Sequence, residues 1–91
     1  MTPYYIQNGV RRALAAREAG QLTIRAYINR PGQRPTLRRV SLEQLFLPKR
    51  RVEIDARYMR IQPPIREPIE VDPLGQPGQG RAVPLQDVRL V

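Results

Sequence analysis

Arginine and tyrosine side chains are the groups in this chain whose type and spacing point to a chemical role. They concentrate in three positively charged stretches, 25–39, 49–51 and 57–60. Guanidinium groups bind phosphates bidentately, and both arginine planes and tyrosine rings stack on bases. On one polar sheet face they would bind single-stranded DNA or RNA, mainly through phosphates. The residues predicted to form this site are Arg25, Tyr27, Arg38, Arg39, Lys49, Arg50, Arg51, Arg57, Tyr58 and Arg60.

The same residues have a structural explanation, which the sequence leaves open. Tyr27 and Tyr58 are also typical of half-buried core positions, with the arginines forming a solvated face. The cluster 49–51 is also typical of a solvated strand entrance. Three further arginines of a predicted first helix face outward, where phosphates are within reach but simple exposure is the more common outcome: Arg11, Arg12 and Arg17.

The charge of the chain is unevenly distributed. Sixteen basic residues, fifteen of them arginine, oppose eight acidic ones, for a net charge of +8. Residues 1–66 hold 14 basic and 4 acidic side chains, a net of +10, whereas residues 67–91 hold 2 and 4, a net of −2. A high-GC genome explains a preference for arginine over lysine, but it does not explain the positive excess. That excess favours an anionic partner, or simply solubility, and it places any anion-binding surface before residue 67.

Few residues are available for catalysis or metal binding. The chain has no cysteine and no histidine, so thiolate ligands and the commonest general base are absent. Glu53 and Asp55 alternate with arginines, which favours cross-strand ion pairs over a carboxylate site. Phosphate-binding glycine loops and catalytic triads are also absent. We therefore predict a binding module without a cofactor rather than an enzyme.

The order of elements predicts one small domain. Thr2-Pro3 can begin a helix over 3–19, and Gly20 can end it. Because Asn8-Gly9 interrupts the first half, the alternative is a regular helix that begins only near Asn8, after a short lead-in with Tyr4 and Tyr5. Apolar residues at positions 22, 24, 26 and 28 alternate with Thr23, Arg25, Tyr27 and Asn29, and Arg30-Pro31-Gly32-Gln33 follows. This pattern predicts a β-hairpin over about 22–40 with a type II turn.

After the hairpin, Ser41 and Gln44 fit a capping box, so 41–47 is expected to form a helical turn or a packed connector. The apolar residues of 51–62 change from even to odd positions near Asp55, which predicts a tight turn between two short strands or, as the alternative, one strongly bent strand with a bulge. Either arrangement completes a β core over 21–62. Residues 63–80 read as a Pro/Gly-rich arm and loop with room for a short edge strand, and 81–91 as a closing strand. The predicted fold is mostly β (α+β), with an N-terminal helix on a small antiparallel Sm-like or SH3-like barrel or sheet.

Four stretches resemble the WYL domain, a small Sm-like β-barrel with a helix at its start. They are 22–27, 38–45, 57–59 and 81–88, and the resemblance spans roughly Ala13 to Val91. Arg57 stands where the family has its signature Trp, and Val83 where it has an aromatic residue. The resemblance implies a regulatory sensor module that binds nucleic acid or small anionic ligands.

The sequence thus predicts a small basic nucleic-acid-binding module of low sequence specificity. The alternative is a protein-interaction or assembly module that pairs through strand edges: a homo-oligomer, a complex subunit, or a phage-type structural or inhibitor protein. Without an apolar run long enough to cross a membrane or a recognisable signal peptide, a cytoplasmic location without membrane contact is the default expectation.

Overall fold

The structure is a computed structural model that describes residues 2–48, 53–59, 66–75 and 82–91. Its strands are β1 (Tyr4–Asn8), β2 (Thr23–Ile28), β3 (Thr36–Ser41), β4 (Leu45–Pro48), β5 (Glu53–Ile54), β6 (Ile69–Pro73), β7 (Ala82–Pro84) and β8 (Arg89–Leu90). Its α-helix is α1 (Val10–Glu18), and three short 3₁₀ helices span Leu42–Gln44, Ala56–Met59 and Leu85–Asp87.

Six strands form one sheet in the order β3-β2-β6-β1-β4-β7. The predicted mostly β fold with one helix packed on a sheet is confirmed. The sheet is mixed rather than antiparallel, because β1 pairs with β4 and β2 pairs with β6 in parallel. Both parallel pairs join strands far apart along the chain, whereas the sequence pattern had revealed only the hairpin of adjacent strands. In the described part of the chain β3 and β7 are the two end strands.

The predicted helix over 3–19 is wrong in its first half, whereas the alternative start near Asn8 agrees with the structure. Residues 4–8 form a strand that pairs with β4 on one side and β6 on the other. Tyr4, Tyr5 and Ile6 are all buried there, as suits aromatic and β-branched residues in a central strand. Gly9 then takes a φ of 106°, which turns the chain into the helix, and α1 begins only at Val10.

The predicted hairpin and its turn are both present. β2 and β3 pair antiparallel from Thr23↔Ser41 to Ile28↔Thr36. The amide of Gln33 donates to the carbonyl of Arg30 at 3.1 Å, and Gly32 has a φ of 71°, as the third residue of a type II turn requires.

The connector after the hairpin also folds as predicted at its start. Ser41 caps the first 3₁₀ helix, accepting from the Glu43 amide at 3.2 Å, and the Gln44 side chain accepts from the Ser41 amide at 3.0 Å. This is the capping box that the sequence indicated. Beyond Gln44 the chain becomes strand β4 rather than continuing as a helical turn.

Strand β6 is the largest departure from the predicted order of elements. Residues 63–80 were expected to form an arm with at most an edge strand, yet β6 lies between β2 and β1 inside the sheet. Ile69 and Val71 are fully buried. Pro68 precedes the strand and Pro73 is its last residue, so neither removes a donor from its interior. Residues 76–80 of the predicted loop and Ile65 lie outside the described residues.

The C-terminal residues, predicted to form a closing strand, form two short strands that pair in two places. β7 pairs with β4 at the edge of the sheet, and β8 pairs in parallel with β5. The predicted turn near Asp55 is present as the 3₁₀ helix Ala56–Met59, whose Tyr58 amide donates to the Asp55 carbonyl at 3.0 Å. The strand expected to follow it lies mostly outside the described residues.

One hydrophobic core lies between α1 and one face of the sheet, which we call the inner face. Ala13, Leu14 and Ala16 of the helix are fully buried. The sheet residues that β2 and β6 contribute to this core are Ile24, Ala26, Ile28, Ile69 and Val71. The opposite side, the outer face, therefore carries the alternate residues of the same strands. No helix of the described residues has the length and apolar character needed to cross a membrane.

Candidate nucleic-acid interface

The hairpin brings together three of the ten predicted site residues on the outer face. Arg25 lies directly opposite Arg39 in the register of β2 and β3, and Tyr27 lies opposite Leu37. All four are exposed, with 38 % of Tyr27 and 46 % of Leu37 accessible to solvent. We call these four residues the hairpin face. They arise from the alternation of β2, which buries Ile24, Ala26 and Ile28 on the inner side.

Arg38 does not join Arg39 on the hairpin face. It lies opposite Ala26, a fully buried inner-face residue, so it projects from the inner side of β3. The prediction that both arginines share one face is wrong, because neighbouring residues of a strand necessarily point to opposite faces. Arg38 is nevertheless exposed, since residues 31–39 are exposed without interruption. The second arm of the hairpin thus carries positive charge on both faces.

Arg57 and Tyr58 do not join the hairpin face either. They belong to the 3₁₀ helix that contacts α1, and the ring of Tyr58, 62 % exposed, lies under the guanidinium of Arg11 at 5.1 Å. Because α1 covers the inner face, the predicted continuation of the hairpin face by Tyr58 is wrong. The change of chain direction at the turn places this tyrosine beside the helix.

The Arg57 side chain is held by a local ion pair. Its Nη2 lies 2.8 Å from Asp55 Oδ2, while its amide donates to Asp55 Oδ1 at 2.9 Å. The side-chain hydrogen bond and then the backbone hydrogen bond hold the pKa of Asp55 below its usual value, and the side-chain hydrogen bond raises the pKa of Arg57. Asp55 therefore pairs within its own turn rather than across strands. Glu53 lies opposite Arg89 in the β5–β8 pair.

Four predicted site residues, Lys49, Arg50, Arg51 and Arg60, lie outside the described residues. Two arginines of the first helix have structural contacts. Arg12 donates to the Pro68 carbonyl at 2.8 Å, and Arg17 donates to the carbonyls of Leu85 and Val88. These two guanidiniums tie α1 to the chain before β6 and to the C-terminal segment, in contrast to the expected outward orientation.

Glu67 contacts the hairpin face, and the sequence pattern did not reveal it. Its Oε1 accepts from the Arg25 amide at 3.0 Å and its Oε2 from Arg25 Nε at 3.1 Å. Burial raises the pKa of Glu67, but the hydrogen bonds from Arg25 and the charges of Arg25 and Arg39 outweigh that effect and leave it below the usual value. Forty-two residues separate Glu67 from Arg25. Only the placement of β6 beside β2 could have revealed the contact.

Positive charge dominates the hairpin as a whole. Residues 21–40 contain five arginines and no acidic residue. Arg39 donates to the Thr23 hydroxyl at 3.2 Å, and Arg25 pairs with Glu67. Within the described residues no carboxylate forms an ion pair with the remaining hairpin arginines, Arg30, Arg34 and Arg38.

Acidic residues border the hairpin face on its β6 side. Glu70 lies next to Tyr27 in the parallel pairing of β2 and β6, and Asp72 follows on the same side of β6. Glu70 accepts a hydrogen bond from the Asn8 amide group at 3.3 Å. The positive end of the face is therefore the end at Arg25 and Arg39. Among the residues that the structure describes, no group of three acidic side chains is arranged to hold a metal ion.

Comparison with protein-family models, with curated proteins and with solved structures finds no match for this chain. The resemblance to WYL domains accordingly stays a prediction, and the function is argued from the geometry of the hairpin.

Proposed function

We propose that this protein is a small nucleic-acid-binding module whose binding arm is the β2–β3 hairpin. The observation that carries the proposal is the composition and exposure of that hairpin: five arginines, no acidic residue, and an uninterrupted exposed stretch at 31–39. Phosphate contacts would supply most of the affinity, with little sequence specificity.

Three arginines outside the hairpin already bind groups of the protein itself, which supports this role for the hairpin. Arg12 and Arg17 are engaged by backbone carbonyls, and Arg57 is engaged by Asp55. Arg30 and Arg34 flank the hairpin turn. Pro31 and Gly32 restrict the backbone conformation of this turn, which constrains the positions of the two charged residues. A phosphate that binds this arm would have to displace only one carboxylate, that of Glu67 at Arg25.

A salt titration with charge-matched variants tests the proposal. Binding of a labelled oligothymidine should weaken steeply as salt rises, because each phosphate contact contributes a slope of about −0.7 for single strands. Replacing Arg30, Arg34 and Arg38 together by Gln should reduce that slope by about 2. The control replaces three exposed arginines outside the hairpin, Arg11, Arg66 and Arg89, by Gln and so removes the same charge.

The hairpin variant should lose clearly more affinity than the control variant. Equal losses would show that net charge alone drives binding, and they would remove the hairpin from the proposal. A wild-type protein that binds neither single-stranded DNA, RNA nor duplex at low salt would contradict nucleic-acid binding altogether. The regulatory role implied by the WYL resemblance is part of the same proposal and depends on that binding.

The edge position of β3 favours a second candidate function, assembly with a protein partner or another copy. β3 pairs only with β2 in the described sheet, so its other side presents backbone groups to which a further strand can add. The arginines along β3 oppose pairing of two identical edges, because like charges would face each other. Measurement of the mass in solution separates the two functions: a stable oligomer that nucleic acid leaves unchanged would favour assembly.

A further inference from the structure

Arg25 and Arg39 form an electrostatically unfavourable pair at the centre of the hairpin face. They lie directly opposite each other in the antiparallel register. Side chains in such positions have Cβ atoms about 4.5–5.5 Å apart, and two like charges there destabilise the pairing. An anion between the two guanidiniums removes that repulsion. The site is therefore built for a negatively charged group.

Glu67 supplies part of that negative charge. Its carboxylate accepts from both the amide and the Nε of Arg25, and the positive charge of Arg39 also acts on it. The hydrogen bond recorded for Arg39 is made to the neutral Thr23 hydroxyl. Among the described residues Glu67 forms its ion pair with Arg25, which leaves the positive charge of Arg39 for a ligand. The pair is half open to water, with 49 % of the Arg25 side chain exposed.

Tyr27 provides a surface for a base next to this anion site. It lies two residues from Arg25 on the same side of β2, about 7 Å along the strand. Leu37 lies opposite it, so a partly exposed aromatic ring and an exposed aliphatic side chain form one apolar platform. A base can lie on that platform only when its face is free, as in a single strand. The bases of a duplex have their faces covered by stacking.

We propose that the hairpin face is a nucleotide subsite for single-stranded nucleic acid. The phosphate binds Arg25 in place of the Glu67 carboxylate, and the charge of Arg39 on the neighbouring strand adds to the attraction. The base stacks on Tyr27 and Leu37. Glu67 is thus an internal competitor of the ligand. This inference rests on the nucleic-acid binding proposed above.

Replacing Glu67 by Gln tests the competition. Gln keeps an oxygen that accepts from the Arg25 amide but removes the charge that competes with phosphate. The E67Q variant should bind a labelled oligothymidine about two- to fivefold more tightly than wild type, the range expected for releasing one partly exposed ion pair. The matched control is E70Q, which removes the same charge from the neighbouring position beside Tyr27 without releasing Arg25.

The outcomes separate this subsite from the general function. If E67Q and E70Q improve binding equally, or if E67Q weakens it, the competition by Glu67 is refuted while nucleic-acid binding stands. If the wild-type protein binds no nucleic acid, the proposed function itself fails. Tighter binding of an oligoglutamate peptide than of the oligonucleotide would overturn the subsite in favour of an acidic protein partner.

The stacking part of the proposal has its own variants. Y27L should weaken binding of the oligothymidine about tenfold, whereas Y27F, which keeps an aromatic ring, should bind as wild type does. A duplex of the same length should be bound equally by all three proteins. A loss that is the same for single strand and duplex would contradict stacking on Tyr27. Thermal unfolding of each variant shows whether the fold is retained.

Discussion

The contact between Glu67 and Arg25 changes the charge distribution of the hairpin face. Without it, Arg25 and Arg39 would be two neighbouring arginines on a solvated strand. With it, Arg25 already holds a carboxylate, and Arg39 lies opposite on the next strand. The low pKa of this carboxylate follows from hydrogen bonds that reach it across the β2–β6 boundary. The same contact should therefore appear in the pH dependence of folding.

The E67Q substitution should lower the free energy of unfolding at neutral pH by about 0.2–1 kcal/mol, because the ion pair is partly exposed. Since folding lowers the pKa of Glu67, its contribution is fully present above the unfolded value of 4.5 and is lost as pH falls through the lower folded value. The difference between wild type and E67Q, measured by urea denaturation, should shrink below about pH 4.5. A difference that stays constant down to pH 2 would contradict this linkage.

Gly9 is a second residue whose role depends on close packing. A Cβ at this position would lie 2.5 Å from Ile69 Cγ2, and its φ of +106° disfavours any side chain. G9A should therefore cost about 2–5 kcal/mol, combining backbone strain with overpacking. The control is G20A, at a glycine with a φ of +78° and no heavy atom within 4 Å of the added Cβ. Denaturant unfolding that shows equal losses for both variants would contradict the packing contribution.

At the scale of elements, local signals predicted the units that close over short distances. The hairpin turn and the capping box depend on residues at most three positions apart, and both are present as predicted. Strand β1 was mistaken for helix because Thr2-Pro3 resembles a helix start, while pairing with β4 and β6 decides its conformation. Long-range pairing thus outweighed a local helix signal.

The connector between β3 and β4 provides a test at this scale. S41A removes the hydroxyl that accepts from the Glu43 amide, and it should lower the free energy of unfolding by about 1 kcal/mol. S41T keeps an oxygen in the same place and should cost clearly less. Urea denaturation of both variants gives the comparison. An S41A protein as stable as S41T would show that the capping box contributes little here.

At the scale of the whole molecule, strand β6 organises the sheet. It joins the hairpin to β1, contributes two fully buried residues to the core, and positions Glu67 beside Arg25. Its proline-rich flanks made it look like part of an irregular arm. The prolines lie at the strand ends, where missing amide donors do not interrupt the ladder.

The central position of β6 predicts a large cost for core truncation there. I69A should lower the free energy of unfolding by about 2–5 kcal/mol, and I69V by about 0.5–1.5 kcal/mol, if the side chain fills a packed core. The control is L22A, because Leu22 is 82 % exposed and should change stability by less than about 0.5 kcal/mol. Chemical denaturation followed by circular dichroism measures all three. An I69A variant that loses no more stability than L22A would contradict the central position of β6.

The sequence by itself determined the mostly β class, the hairpin with its type II turn, the capping box, and the concentration of positive charge before residue 67. These features depend on residue type, period and neighbours within a few positions. Only the tertiary structure decided which arginines share a face, that Tyr58 belongs beside α1, and that Glu67 reaches Arg25. Those outcomes depend on strand order, because pairing between distant segments sets which side chains meet, and no local pattern encodes it.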